Sequence, residues 1–237
     1  MKVMESGEDF AGTLVRRPDL LLRIQVFVHR PDLWLHPSRL AEDTSGRLLQ
    51  FRPQFSEGDA SRRLTSAYSQ ALASDCGFDP LDYREFAPSL RRVALLSTPL
   101  LEKLAATAGR FRLAPRIAGC LRRDEAARLR QTLGEKSWAE VLRLSPLLLR
   151  EGEAAACSKE ELLDDPASAV FRAGWEGVGI ALRGAPEALR RRLEWKVPDA
   201  AVASLRHGAE ATGSDRGELL VRLLRNLLNR RAAETVF

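Results

Sequence analysis

Apolar positions recur at helical spacing along most of this chain. The clearest case is Ser214 to Arg231, where Leu220, Leu223, Leu224, Leu227 and Leu228 fall at i, i+3, i+4, i+7 and i+8, opposite Arg222, Arg225, Asn226 and Asn229. Ser214 can cap that helix, and leucines worth ~1.5–3 kcal/mol each when buried argue that this face packs against the body of the protein. Asp59 to Asp75 places Leu64, Ala67, Tyr68, Ala71 and Leu72 on one stripe, with Gly77 as its stop. Pro88 to Leu96 opens on proline and carries Leu90, Val93, Ala94 and Leu96. Thr98-Pro99 then restarts the helix, which Leu100, Leu101, Leu104 and Ala108 continue to Gly109. Asp124 is a candidate N-cap for Glu125 to Leu133, and Gly134 a left-handed terminator. Ser137 to Leu144 forms the next short helix. Ser158-Lys-Glu-Glu161 has the form of a capping box opening a turn that ends before Asp165-Pro166.

That proline begins an unusual helix, Pro166 to Leu182. Ala173, Gly177 and Ala181 recur every four residues in it, with Gly174 and Gly179 beside them. Each interior glycine costs about 1 kcal/mol against alanine, so the group implies a compensating close approach of another backbone. The remaining segments are less regular. Residues 1–19 read as a loose lead-in, Leu20 to Val28 as an extended or helical segment ended by Arg30-Pro31, and Pro37 to Ala41 as a short helix. Thr44 to Phe55 reads as a surface connection. Pro186 to Leu193 reads as a helix, Leu193 to Val197 as extended, and Asp199 to Arg206 as a helix before a turn bracketed by Gly208 and Gly213. No internal repeat and no Gly/Ser linker divides the chain.

Composition turns this pattern into a fold class. Leucine occurs 39 times, against 3 Ile and 12 Val, and aromatics make up 6%. Unbranched and γ-branched side chains favour helices, whereas strands are enriched in β-branched and aromatic ones. The expectation is a compact, all-α, multi-helix single domain over 20–237, with little or no β structure and with residues 1–19 ahead of it. Apolar residues at 45% and charged ones at 29% lie in the globular range. Arg23 and Arg150 interrupt the longest apolar runs, so no membrane span is expected. Glu5, Glu8 and Asp9 stand where a signal peptide would carry a basic region, which points to a cytoplasmic protein.

The net charge of +5 is spread along the chain without a basic tail. Its densest stretch holds Arg110, Arg112, Arg116, Arg122 and Arg123, all before the first acid at Asp124. Arginine outnumbers lysine heavily, which reflects either a GC-rich genome or a use for planar contacts with carboxylates and phosphates. Cys76, Cys120 and Cys157 are odd in number and far apart, as in reduced cytosolic thiols. His29, His36 and His207 offer no second ligand at helical spacing for a metal. The chain lacks a phosphate-binding loop, a nucleophile elbow and a zinc-protease motif. No catalytic residue, cofactor or metal is expected, and the reading from residues alone is a helical interaction protein.

A resemblance carries the reading further. Phe27-x-x-x-Pro31-x-x-Trp34-Leu35-His36-Pro37-x-x-Leu40 resembles the opening of the SctK (YscK-type) proteins of bacterial type III secretion, with Trp34 where that family has Tyr. Leu90-Arg-Arg-Val-Ala-Leu-Leu-Ser-Thr-Pro99-Leu-Leu is similar to their Ile-Arg-Arg block and Ser-Pro-Leu break. The Gly174-Trp175 helix, leading through Pro186 to Val197-Pro198, is similar to a later small-residue helix.

The resemblance implies a non-enzymatic adaptor of the cytoplasmic sorting platform, peripheral to the inner membrane. It would join the ring protein SctD to the pod protein SctQ, and through these to the linker SctL and the ATPase SctN. Trp34 and Leu35 would lock the N-terminal segment onto the core or touch a partner, with His36 bonding locally. Arg110, Arg112, Arg116, Arg122 and Arg123 would form part of a surface for an acidic protein partner, or a solvated connector paired with nearby acids. The competing function is a nucleic-acid-binding regulator using those arginines and Arg190 to Arg192, marked by steep salt dependence. Neither nucleic acid nor membrane insertion is expected for the adaptor.

Overall fold

A computed structural model describes residues 7–39, 59–120, 122–149 and 157–210. Every regular element among them is helical and none is a strand, as the leucine bias implies. The helices are α1 (Gly7–Arg16), α2 (Pro18–His29), α3 (Asp59–Asp75), α4 (Thr98–Ala118), α5 (Arg123–Leu133), α6 (Glu135–Leu149), α7 (Lys159–Asp164), α8 (Pro166–Ala181), α9 (Glu187–Lys196) and α10 (Asp199–Glu210). Short 3₁₀ turns run over Pro31–Leu33, Pro37–Arg39, Tyr83–Phe86 and Ser89–Leu95. The leucine-faced helix expected over Ser214 to Arg231 lies outside the described residues, as do the connection at Thr44 to Phe55, Leu40 and Ala41. Two compact units emerge, one built from the described residues up to Thr98 with Ala185–Ala200, the other from Pro99–Gly184 with those from Ala201.

In the first unit, the segment read as a loose lead-in contains α1, whose Phe10 and Leu14 are buried. The extended-or-helical segment after it is helical. Pro18 sits in the first turn of α2, where its missing N–H is no loss, and Leu20, Ile24 and Phe27 form the buried stripe. The helix ends at Arg30, whose backbone (φ −127°, ψ 62°) has left the helical region that the following proline disfavours. Helix α3 has the expected bounds but a different inner face. Ser69, Leu72 and, just beyond the helix, Cys76 are buried, while Ala67 and Ala71 are exposed. On this inner face the Ser69 hydroxyl donates to the Asp32 carboxylate.

The expected helix at Pro88 to Leu96 is a 3₁₀ turn. Val93, Ala94 and Leu95 are buried in succession, which a single α-helical stripe could not achieve. Arg92 reaches back to the carbonyls of Phe86 and Ala87 at 3.0 and 2.9 Å, tying this turn to the one before it. The stretch from Leu193 to Lys196, read as extended, continues α9.

In the second unit, α4 runs past Gly109, the expected stop, to Ala118, with Pro115 in its last turns. Gly109 is buried inside this helix because a second backbone lies against it: a Cβ there would collide with the Val170 carbonyl of α8. Gly174 of α8 is barred in turn by the Ala105 carbonyl of α4. Further along, Gly179 of α8 meets Leu205 and Gly208 of α10, and a Cβ on Gly208 would strike the Glu176 carbonyl. The close approach inferred from the small residues of α8 is therefore present twice. It also explains why α10 continues through Gly208 to Glu210 instead of turning there.

Helix starts in this unit follow local chemistry. Ser158 and Glu161 form the complete capping box at the head of α7, and Asp165 accepts from the Ser168 amide ahead of α8. Gly134, at φ +80°, ends α5 as expected, but the N-cap is Arg122, not Asp124, which lies in the first turn.

Candidate interaction surfaces

The block around Trp34 belongs to a continuous aromatic core in the first unit. Trp34 is 7% exposed and stacks on Phe27 with centroids 5.0 Å apart, while Phe27 meets Phe86 edge-on at 5.9 Å. On its other side Trp34 faces Phe78 at 5.6 Å, and Phe78 meets Trp195 of α9 edge-on at 6.2 Å. The residues after Trp34 clasp the end of the same helix and Asp199 just beyond it. The His36 amide donates to the Trp195 carbonyl at 3.0 Å, Arg39 lies over the Trp195 ring at 5.0 Å and pairs with Asp199, and the Asp199 amide donates to the Ser38 hydroxyl at 3.1 Å. His36 bonds locally, its Nδ1 accepting from the Ser38 amide at 3.2 Å. Of the two roles open to Trp34, burial favours the lock: its ring faces the core, leaving little surface for a partner.

Charged side chains are drawn into this core, among them Asp32, Arg192 and Lys196. Asp32 receives both arms of Arg30 at 2.9 Å as well as the Ser69 hydroxyl. Burial raises its carboxyl, but those hydrogen bonds outweigh burial and hold it below the ordinary value. Arg192 lies over Phe78 at 5.2 Å and donates to the Asp79 carbonyl at 2.5 Å, with burial lowering its pKa. Lys196, one turn on, donates from Nζ to the Ala94 carbonyl at 2.8 Å and lies over Phe27 at 5.3 Å. Burial, helped by repulsion from Arg23, pushes its ammonium down to about 7. Sequence reading missed both cations because nothing in Arg190-Arg-Arg-Leu-Glu-Trp-Lys196 marks two of them as interior. Arg190 pairs with Glu187 and only Arg191 is exposed, so this run offers no continuous basic face to a nucleic acid.

In the second unit, the arginine stretch lies on α4 and at the head of α5, and it does not form one face. At about 100° per residue, Arg110 points away from the side that carries Arg112 and Arg116. Arg110 is half-buried and reaches the Thr107 hydroxyl at 3.4 Å. Arg112 is also half-buried, donating to the Glu176 carboxylate at 2.7 Å and the Ala173 carbonyl at 2.8 Å, both on α8. It reinforces the close helix crossing. Arg116, Arg122 and Arg123 are exposed.

The fold adds a cation that sequence proximity could not show. Arg172, exposed on α8, and Arg116 both act electrostatically on the Cys157 thiol. That thiol is pushed up, chiefly by burial and then by Glu161, with the two arginines opposing. Cys76 and Cys120 are buried, and none of the three cysteines is in a disulfide. His29 and His207 are exposed, and no group of three or more His, Cys, Asp or Glu among the described residues could hold a metal ion.

A family model described as YOP proteins translocation protein K (YscK) matches residues 23–235. No curated protein and no solved structure matches the chain.

Proposed function

Because this chain belongs to the YscK family of type III secretion proteins, we propose that it is a non-enzymatic adaptor of the cytoplasmic sorting platform, joining the cytoplasmic domain of the ring protein SctD to the pod protein SctQ. The observation that carries this reading is the family match, which spans nearly all the described elements from α2 onward. Through those partners the chain would connect to the linker SctL and the ATPase SctN, at the inner membrane but outside it. No helix among the described residues is long and apolar enough to cross a membrane.

The physics of the fold suits an adaptor. An adaptor needs firm surfaces, and within the second unit helices in backbone contact supply them, because packed interiors resist deformation. The clasp from His36 to Arg39 and the crossings at Gly109 and Gly208 each remove freedom from a helix pair. Groups that could do chemistry, such as Lys196 and Cys120, are buried in packing roles.

The test is affinity capture of the tagged chain from cells that express the whole secretion apparatus. Ring and pod proteins should both be recovered. Recovery of neither, or tight salt-sensitive retention of RNA or DNA by the purified chain, would replace the adaptor with the regulator.

A further inference from the structure

The second unit brings exposed arginines from three separate stretches into the neighbourhood of Cys157 and the first turn of α7, with Arg123 next to Arg122 in the chain. Arg116 comes from the last turns of α4, Arg122 and Arg123 from the head of α5, and Arg172 from α8. Helix α5 packs against both α7 and α8. The ion pair between Lys159 and Glu125, at 2.9 Å, fixes the first turn of α7 beside the first turn of α5. At the other end, Arg128 donates to the Asp164 carbonyl at 2.8 Å. Cys157, just ahead of α7, lies within electrostatic reach of Arg116 and Arg172, and Lys159 within reach of Arg122.

Three acids of this neighbourhood are engaged by the chain itself. Glu125 is paired with Lys159, Glu161 accepts from the Ser158 amide at 3.0 Å, and Asp165 accepts from the Ser168 amide at 3.1 Å. Two of the arginines sit where local helix chemistry does not favour them. Arg122 caps α5 without a side-chain capping bond, and Arg123 follows it at the helix end whose dipole disfavours cations.

We propose that this face, built on Arg116, Arg122, Arg123 and Arg172, docks an acidic segment of a protein partner, an Asp- and Glu-rich stretch whose carboxylates the guanidinium forks receive. The proposal rests on the adaptor reading for its choice of a protein partner. It replaces the five-arginine stretch of the sequence with a surface that excludes Arg110 and Arg112 and includes Arg172. Guanidinium forks match carboxylates in pairs. Cations gathered in one neighbourhood suit a short acidic stretch, whereas a nucleic-acid strand calls for a charged track along its backbone.

The experiment measures binding of a short fluorescein-labelled poly-glutamate peptide to the full chain by anisotropy, at low and at physiological salt. The wild type should bind, more weakly as salt rises, and R116E/R172E should weaken binding about tenfold. K136E/R143E makes the same charge change at exposed positions on α6 and should stay within about twofold of the wild type. Far-UV circular dichroism and melting confirm that each variant is folded. Should R116E/R172E not fold, R116Q/R172Q removes the attraction alone and should still bind several-fold less tightly than K136Q/R143Q.

Absence of peptide binding, equal losses in the two variant pairs, or tighter binding of a DNA duplex than of the peptide overturns the proposal. So does peptide binding that appears only when Glu151 and Glu153 are replaced by alanine, since this chain's own acids would then be the occupant. In the cellular capture, a wild type and an R116E/R172E variant that recover ring and pod proteins equally overturn this surface and leave the adaptor standing. A wild type that recovers neither overturns the adaptor, and the peptide measurement still decides the surface.

Discussion

Gly109 of α4 and Gly174 of α8 lie against each other's helix backbone, so that a β-carbon on either would overlap a carbonyl of the opposite helix. Arg112 bridges the same pair of helices through the Ala173 carbonyl and the Glu176 carboxylate. Glu176 also marks the second crossing, where Gly208 of α10 abuts its carbonyl. Helix α8 is thus pinned by backbone contact on two sides.

This arrangement predicts the sign of a simple substitution series. In an unobstructed helix, glycine to alanine stabilises by up to about 1 kcal/mol. Gly12, within α1, has open space where a Cβ would be, and Gly12→Ala should raise the melting temperature. Gly109→Ala, Gly174→Ala and Gly208→Ala should each lower it, because overpacking costs roughly 1–3 kcal/mol of stability. Thermal denaturation of the four variants decides the matter, and stabilisation by Gly109→Ala would show that the crossing is looser than described.

Trp34→Ala should cost about 3–5 kcal/mol, the range for deleting a large buried aromatic. Trp34→Phe should cost much less, because the stack on Phe27 survives and the indole N–H, which is buried without a hydrogen-bond partner, is removed. Urea denaturation of the two variants gives the comparison. If Trp34→Ala kept full stability but lost capture of the secretion partners, the ring would be a contact and not a lock.

Lys196 makes stability depend on pH in a definite direction. Its folded pKa of about 7 lies below the ordinary 10.5, so between those values the unfolded chain holds the proton that the folded chain has released. Stability should therefore rise with pH across that window, by up to about 1.4 kcal/mol per unit from this group. Below pH 7 both states are charged and the full desolvation cost is present. Lys196→Met should remove this slope and stabilise the protein at pH 6, as read by urea midpoints across a pH series.

Asp32 acts at the acid end. With its folded pKa below the ordinary 3.8, its contribution is present above that value and is lost as pH falls through the folded one. Asp32→Ala leaves Arg30 and Ser69 without their acceptor and should cost about 1–3 kcal/mol at neutral pH. Ser69→Ala should cost less, near 1 kcal/mol, and should shift acid unfolding to higher pH. An unchanged acid transition in Ser69→Ala would mean that the hydroxyl does not support the carboxylate.

What could be read from the sequence is what short stretches of chain decide by themselves. The leucine excess over Ile and Val implied helices without strands; Ser158 with Glu161 marked the start of α7, Pro166 that of α8, and Asp59 to Asp75 gave α3 to the residue. These features depend on side chains one helical turn apart. The small residues of α8 also announced a close crossing, though not its partners.

Tertiary structure decided the rest, because the missing information lay on distant residues. A glycine at the end of an apolar stripe reads as a stop, and Gly134 is one, whereas Gly109 and Gly208 continue their helices because another backbone occupies the space a side chain would need. An arginine or lysine reads as surface until a carbonyl and a ring are placed around it, as Asp79 and Phe78 surround Arg192, and Ala94 and Phe27 surround Lys196. The arginines of α4 looked like one patch because sequence order ignores the turn of the helix, which sends Arg110 one way and Arg112 to Glu176. Arg172 joins Arg116 near Cys157 only because α7 and α8 fold back on α5, and helix packing of that kind is settled by long-range burial, which no local pattern records.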